Sequence, residues 1–237
     1  AAADSVADIN GASGAANILN AFTGDSVNGA AATNANAVLT VATGSTVPAG
    51  LTFDTATGNV SVAAGTAAGT YSFDYQICEL LNPANCKTAT ISVTVAASSI
   101  TASPITVGAI NGAAGATNVL NAFTGASVNG AAATPDNAIL SVATGSVLPA
   151  GLTFDPATGA VGVSPATPAG IYSFDVLVCE RLNPANCVTS TVSVTVVAAP
   201  VVAAADSVAD INGASGAANV VNAFAGDSVN GAAATTA

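Results

Sequence analysis

The chain has 237 residues, two of them basic and 13 acidic, for a formal net charge of -11 with 6% charged residues and no histidine. A phosphate-binding surface needs clustered Lys or Arg, so nucleic acid is excluded as an expected partner, and so is electrostatic attraction to an anionic membrane. No run approaches the roughly 18 apolar residues of a membrane span, so no membrane insertion is expected.

In chain order, Ser5–Asn10 reads as a first strand ending in the turn pair Asn10-Gly11. Asn17–Phe22 reads as a second, with Gly24 and the pair Asn28-Gly29 closing that region. Ala37–Thr43 gives a third strand, and Val47-Pro48-Ala49-Gly50 a turn. Leu51–Asp54 then leads through the Thr57-Gly58 corner into Asn59–Ala63. The last two strands are the clearest. Tyr71, Phe73, Tyr75 and Ile77 alternate with Ser72, Asp74, Gln76 and Cys78, the period of a half-buried strand. Ala89, Ile91, Val93 and Val95 alternate with Thr88, Thr90, Ser92 and Thr94 in the same way. β-Branched residues and glycines are dense and no 3.6-residue stripe appears. Seven strands in a stretch of this length fit an all-β, Greek-key β-sandwich.

The pattern then returns without a gap. Asn10, Asn111 and Asn212 stand 101 residues apart, as do Gly11, Gly112 and Gly213, Cys78 and Cys179, and Cys86 and Cys187. The expected organisation is a first repeat over 1–97, a second over 98–198, and a partial third over 199–237 that holds the first strands only. Ala203–Ala237 matches Ala1–Ala35 at 31 of 35 positions. Asp4, Asp8 and Asp25 return there as Asp206, Asp210 and Asp227, whereas the second repeat has Ile105, Ala109 and Ala126. The junctions at 96–104 and 197–205 are short and each carries a proline, so they are expected to be extended and stiff. A piece of 35 residues cannot bury a core alone. Two readings of it stay open: a longer parent chain, or strands that complete a neighbouring molecule's sheet.

Leu51-Thr52-Phe53-Asp54, Thr57-Gly58 and Ala68-Gly69-Thr70-Tyr71-Ser72-Phe73 follow a recognisable pattern, repeated as Pro149-Ala150-Gly151-Leu152-Thr153-Phe154-Asp155, Thr158-Gly159 and Ala169-Gly170-Ile171-Tyr172-Ser173-Phe174. It resembles the bacterial "putative Ig" repeats, immunoglobulin-like tandem repeats of large secreted surface proteins. The segment Ile77-Cys78-Glu79 through Leu81-Asn82-Pro83-Ala84-Asn85-Cys86 is similar to repeats in secreted proteins of Gram-negative bacteria. The resemblance implies tandem immunoglobulin-like sandwiches, an extracellular cell-surface setting in a Gram-negative bacterium, and adhesins, stalks or filaments as context. It carries over no catalytic residue. One departure is Val60-Ser61-Val62-Ala63-Ala64, where the family often has Ile-Ser-Gly-Thr-Pro.

In the strand alternation Cys78 shares the outward set of Ser72 and Asp74, and Cys86 that of Thr88 and Thr90. Two cysteines on one face of a hairpin can meet at disulfide distance, so Cys78–Cys86 and Cys179–Cys187 are expected as surface staples formed in an oxidising compartment. A zinc site is not expected, since two thiolates without histidine leave the tetrahedron half empty. Calcium needs six to eight oxygens, but Asp54, Asp74, Glu79 and their copies Asp155, Asp175 and Glu180 are scattered, so no metal or cofactor is expected. No catalytic residue is expected either: there is no histidine, no repeated carboxylate pair and no Gly-rich phosphate loop opening a helix. The only tryptic sites, Lys87 and Arg181, lie at or inside the stapled loops. The expectation is a structural segment of an extracellular stalk or filament shaft, with copies of itself or adjacent repeats, and the cell surface, as partners. Two alternatives are a ligand-binding adhesin domain and a subunit polymerising by strand complementation through its partial repeat. Near-identity of the two full repeats favours the shaft, because a receptor tip is usually a distinct domain.

Overall fold

The structure, a computed structural model, describes residues 1–236, and every regular element among them is a β-strand. The chain divides into two compact units. One comprises Ala1–Ala102, Ala126–Ile139 and Val178–Val188; the other comprises Ser103–Gly125, Leu140–Leu177 and the chain from Thr189 onward.

The first unit begins with β1 (Asp4–Asn10), β2 (Ala15–Asn20), β3 (Ser26–Val27), β4 (Ala30–Ala31) and β5 (Ala37–Val41). It continues with β6 (Leu51–Phe53), β7 (Asn59–Val62), β8 (Gly69–Glu79), β9 (Cys86–Ala96) and β10 (Ile100–Ala102). One sheet has the order β1-β9-β8-β5 and the facing sheet β2-β7-β6, so the all-β sandwich holds seven principal strands. β1 runs parallel to β9, with a register shift between Val6 and Ile9 where Asp8 takes a φ of 60°. β8 and β9 form the longest ladder, antiparallel from Gly69 opposite Val95 to Cys78 opposite Cys86.

The alternation of β8 and β9 does what its period dictates. Phe73, Tyr75 and Ile77 from one strand and Ile91, Val93 and Val95 from the other are buried, facing Val60 and Val62 across the sandwich. Phe53 lies over this layer, its ring centroid 5.3 Å from Phe73 and 6.3 Å from Tyr75. The Asn28-Gly29 pair, with φ of 50° and 77°, closes a two-residue hairpin between β3 and β4. Both residues have the positive φ of a type I′ turn, which suits this dipeptide. Asn10-Gly11 behaves differently. Asn10 ends β1, and its side chain accepts from Ala12 N at 3.0 Å. Gly11 is needed for room: a Cβ there would collide with the Thr66 carbonyl oxygen and with Val95.

The remaining strands are β11 (Ile105–Asn111), β12 (Ala116–Asn121), β13 (Ala126–Val128), β14 (Ala131–Ala132), β15 (Ala138–Val142) and β16 (Leu152–Phe154). They are followed by β17 (Ala160–Val163), β18 (Gly170–Glu180), β19 (Cys187–Val197), β20 (Val201–Val202), β21 (Ser228–Val229) and β22 (Ala232–Ala233). The sheet orders β11-β19-β18-β15 and β12-β17-β16 repeat those of the first sandwich. In the second unit Phe174 and Val176 face Val161 and Val163, with Phe154 and Phe174 5.5 Å apart between centroids. β20-β21-β22 is a separate three-stranded sheet. The stretch 203–222 forms no strand, and Val208, Ile211 and Phe224 are exposed. Their counterparts Val6, Ile9 and Phe22 pack on the core of the first unit.

Three short strands differ from the sequence expectation. β3 and β4 fall where only a turn region is expected, and the junction segment, expected to be merely extended, contains β10. In the first unit β10 pairs antiparallel with β13, Ile100 opposite Val128 and Ala102 opposite Ala126.

Candidate functional site

The tip joining β8 to β9 carries the cysteines, a glutamate and the sequence Asn-Pro-Ala-Asn. Cys78 and Cys86 stand opposite one another in the ladder and are disulfide-bonded, with Cα atoms 4.0 Å apart. Beside them, Glu79 accepts from Asn82 Nδ2 at 2.8 Å and Asn85 Nδ2 at 3.0 Å. The Asn85 and Asn82 amides hold the carboxyl below the ordinary glutamate range, against a small opposing effect of burial. The turn is closed by Asn85 N donating to Asn82 O at 2.8 Å. Proline inside this turn cannot continue a ladder, which ends the strands there.

The equivalent tip, Val178–Val188, lies in the first unit and is differently surrounded. Cys179 and Cys187 are joined, and Cys179 is buried, so the expected surface position does not describe this half of the bond. Glu180 is only 2% exposed. Its carboxylate accepts from Ser98 N at 3.0 Å, Ser98 Oγ at 2.8 Å and Asn186 Nδ2 at 2.9 Å. Asn186 Nδ2 also donates to Ser98 O at 2.7 Å, so serine and asparagine form one bonded set around the acid. Burial pushes the Glu180 carboxyl up, but the hydrogen bonds from Asn186, Asn183 and Ser98 together outweigh it and leave it below its ordinary value. Around the same tip, Ala68 N donates to Asn183 Oδ1 at 2.6 Å and Arg181 Nε to Pro135 O at 2.8 Å. Glu180, with Arg181, Asp136 and Asn137, also borders a cavity of about 460 Å³ in this unit.

A junction bond recurs in both units. Asn10 Nδ2 donates to Asn129 Oδ1 at 2.5 Å in the first, and Asn111 Nδ2 to Asn230 Oδ1 at 2.6 Å in the second. Each acceptor is the left-handed asparagine of an Asn-Gly turn. Each turn's asparagine N–H is in turn bonded to the preceding linker: Asn129 N to Ser99 O, and Asn230 N to Pro200 O, both at 2.8 Å.

Two of the three acids that distinguish the first repeat, Asp4 and Asp25, meet inside it. Tyr75 Oη lies 2.8 Å from Asp25 Oδ2, 3.1 Å from Asp4 Oδ2 and 3.0 Å from Ala2 O. Asp25 is buried and also accepts from Ala2 N at 2.5 Å. Burial, with the Asp25 bond and the two nearby carboxylates, pushes the Tyr75 hydroxyl well above its ordinary range, so it stays a donor. Burial raises the Asp4 carboxyl too, with the Asp25 charge adding and the Tyr75 bond opposing. Asp4, Asp25 and Tyr75 are replaced together by Ile105, Ala126 and Val176. A buried polar cluster is kept whole or removed whole, since a remnant would be unpaired.

Asp54 caps its own turn through Thr57 Oγ1 at 2.6 Å and Ala56 N at 2.9 Å, and Asp155 does the same with Thr158 and Ala157. Asp74 and Asp175 bind Thr90 and Thr191 across the ladder. Among the described residues no three of His, Cys, Asp and Glu come together, and no helix is long and apolar enough to cross a membrane. Sequence reasoning missed Ser98 and Asn186. The available signal was the identical Glu-x-x-Asn-Pro-Ala-Asn of both tips.

Residues 98–199 match the family model described as Putative Ig domain. No curated protein matches the chain. Among solved structures, the chain is similar to cadherin domains 3–6 of protocadherin gamma B2, at 12% identity and a TM-score of 0.35, covering 68% of this chain and 42% of that one. It is similar to domains 22–24 of mouse cadherin-23 at 14% identity and a TM-score of 0.33, covering 83% and 62%. It is also similar to an endo-fucoidan hydrolase of glycoside hydrolase family 107 at 14% identity and a TM-score of 0.32, covering 84% and 28%. The chain thus spans less than two thirds of each of these three.

Proposed function

We propose, on the match of residues 98–199 to the Putative Ig domain family model, that the chain is a non-catalytic structural segment of an extracellular stalk or filament shaft on a bacterial surface. The observation that carries the reading is the recurring junction. A bond between two asparagines 119 residues apart occurs once in each compact unit, each time beside a linker bonded to the Asn-Gly turn. A linker fixed by its own hydrogen bonds transmits load, and a bond that recurs with the repeat lets length grow by copying. The disulfide in each full repeat supports an oxidising, extracellular setting.

Antibodies raised against the purified chain, followed by immunogold labelling of intact producing cells, test the proposal. Label on projections beyond the cell envelope is the expected result. Label confined to the cell interior would overturn it. Specific capture of one glycan by the chain on an array would replace the shaft with a receptor-binding role.

A further inference from the structure

The Cys179–Cys187 bond lies where it adds little to the sandwich and much to one segment. Its cysteines are eight residues apart in sequence, at the end of a pair of eleven-residue strands. Closing so short a loop removes less entropy from the unfolded chain than closing a long one. Yet the residues it confines reach outward. Glu180 directly follows Cys179 and Asn186 directly precedes Cys187. Between them they bind every polar group of Ser98: Glu180 takes its N–H and Oγ–H, and Asn186 Nδ2 its carbonyl. In the same loop Asn183 takes Ala68 N–H, and Arg181 N donates to Asn137 O. Beyond Ser98 the segment continues through Ser99 O on Asn129 N into the three-residue β10, a ladder too short to persist by itself.

We propose that Cys179–Cys187 is a redox latch on the segment Ser98–Ala102. Oxidised, it fixes Glu180 and Asn186 at the spacing that grips Ser98; reduced, it releases the segment while the strand cores stay folded. The release is sharp because Ser98 and Glu180 are both buried. A buried carboxylate is stable only while its hydrogen bonds are made. Once the tip widens, the acid takes water in place of serine and the bonded set fails as a unit. Cys187 is half-buried whereas Cys179 is buried, so the bond is attacked from the Cys187 side. An external dithiol supplies the electrons. Its thiolate attacks Cys187 Sγ, the S–S bond breaks, and Cys179 leaves as a thiolate that takes a proton. The dithiol's second thiolate attacks the mixed disulfide, Cys187 leaves and is protonated, and the dithiol departs as its own disulfide. Two electrons and two protons thus pass to the protein. The latch goes beyond the shaft reading. Its test reads the protection of one segment in the purified chain and not cell-surface location, so either can fail without the other.

Amide hydrogen exchange of the full chain, oxidised and then reduced by dithiothreitol with the free thiols counted by mass, tests the latch. On reduction, protection at Ser98–Ala102 and at Asn129 should fall at least about tenfold, with Ile91–Val95 and Phe174–Val178 unchanged. Cys78→Ser/Cys86→Ser, which keeps the second disulfide alone, should show the same fall. Cys179→Ser/Cys187→Ser, its fold checked by circular dichroism, should exchange like the reduced chain under both conditions. Glu180→Gln should loosen the same segment with the disulfide intact, which reads the clamp apart from the bond. Equal protection at Ser98–Ala102 in the oxidised and reduced chains would overturn the proposal, as would a Glu180→Gln chain as protected there as the wild type. Loss of protection in the strand cores on reduction would also overturn it, since the disulfide would then be holding the sandwich itself.

Discussion

Glu180 is a carboxylate almost without access to water, and such a group must be neutralised or fully bonded. Here it is bonded, by both the backbone and side chain of Ser98 and by Asn186. Glu180→Gln keeps the shape but turns an acceptor oxygen into a donor that faces other donors. We expect it to lower the unfolding free energy by about 1–3 kcal/mol at neutral pH, read by urea denaturation. The pH dependence gives a second reading. Because the folded-state carboxyl lies below its ordinary value of 4.5, its contribution is present above that value and lost as pH falls through the folded-state value. The difference between wild type and variant should therefore shrink on acidification below about pH 4.5. A difference constant from pH 7 to 3 would mean that the bonded set does not depend on the carboxylate charge. The sequence showed Glu180 only as one of several scattered acids. Its partner Ser98 is 82 residues away, and no local pattern announces a bond of that span.

At the scale of elements, β8 and β9 were legible because eleven residues of strict alternation leave one reading of which side is buried. β3 and β10 were not, because a strand of two or three residues has too little sequence to display a period. What makes them strands is the neighbour beside them. Asn10-Gly11 was legible as a turn but not for the right reason, since the glycine answers to the Thr66 carbonyl oxygen and not to backbone φ. Three copies of this glycine give an internal control. Gly11→Ala and Gly112→Ala should each destabilise by about 1–3 kcal/mol, the cost of overpacking a closed site. Gly213→Ala should change stability by less than about 0.5 kcal/mol, since a Cβ at Gly213 meets nothing within 4 Å. Thermal melts of the three variants decide it, and equal losses at all three positions would contradict the packing reason.

For the molecule as a whole, two cations among 237 residues mean that trypsin has two places to cut. Both are held. Lys87 stands in the ladder opposite Ile77, and Arg181 lies between disulfide-bonded cysteines, its N–H on Asn137 O at 2.9 Å and its Nε on Pro135 O. The oxidised native chain should outlast a digestion that cuts the reduced, unfolded chain into three pieces, as seen on a reducing gel. Rapid cleavage at Arg181 without reduction would show the tip to be loose. The repeat length, the all-β class and the cysteine pairing were all open to a reader of the sequence, since each rests on spacing. The junction bonds were not, because Asn10 and Asn129 are ordinary asparagines until the fold sets them face to face.

Near-copies joined end to end carry a hazard during synthesis: a strand from one copy can enter the half-formed sandwich of the next. The Asp4, Asp25 and Tyr75 cluster works against that error. If β1 took the place of β11, Asp4 would stand where Ile105 does, in a repeat that has Val176 in place of the tyrosine hydroxyl. In the opposite exchange, Ile105 in place of Asp4 would take one of the two carboxylates from the buried Tyr75 hydroxyl. Adjacent copies are thus mutually poor templates, and the segment that does match the first, Ala203–Ala237, is separated from it by an entire repeat of the other kind.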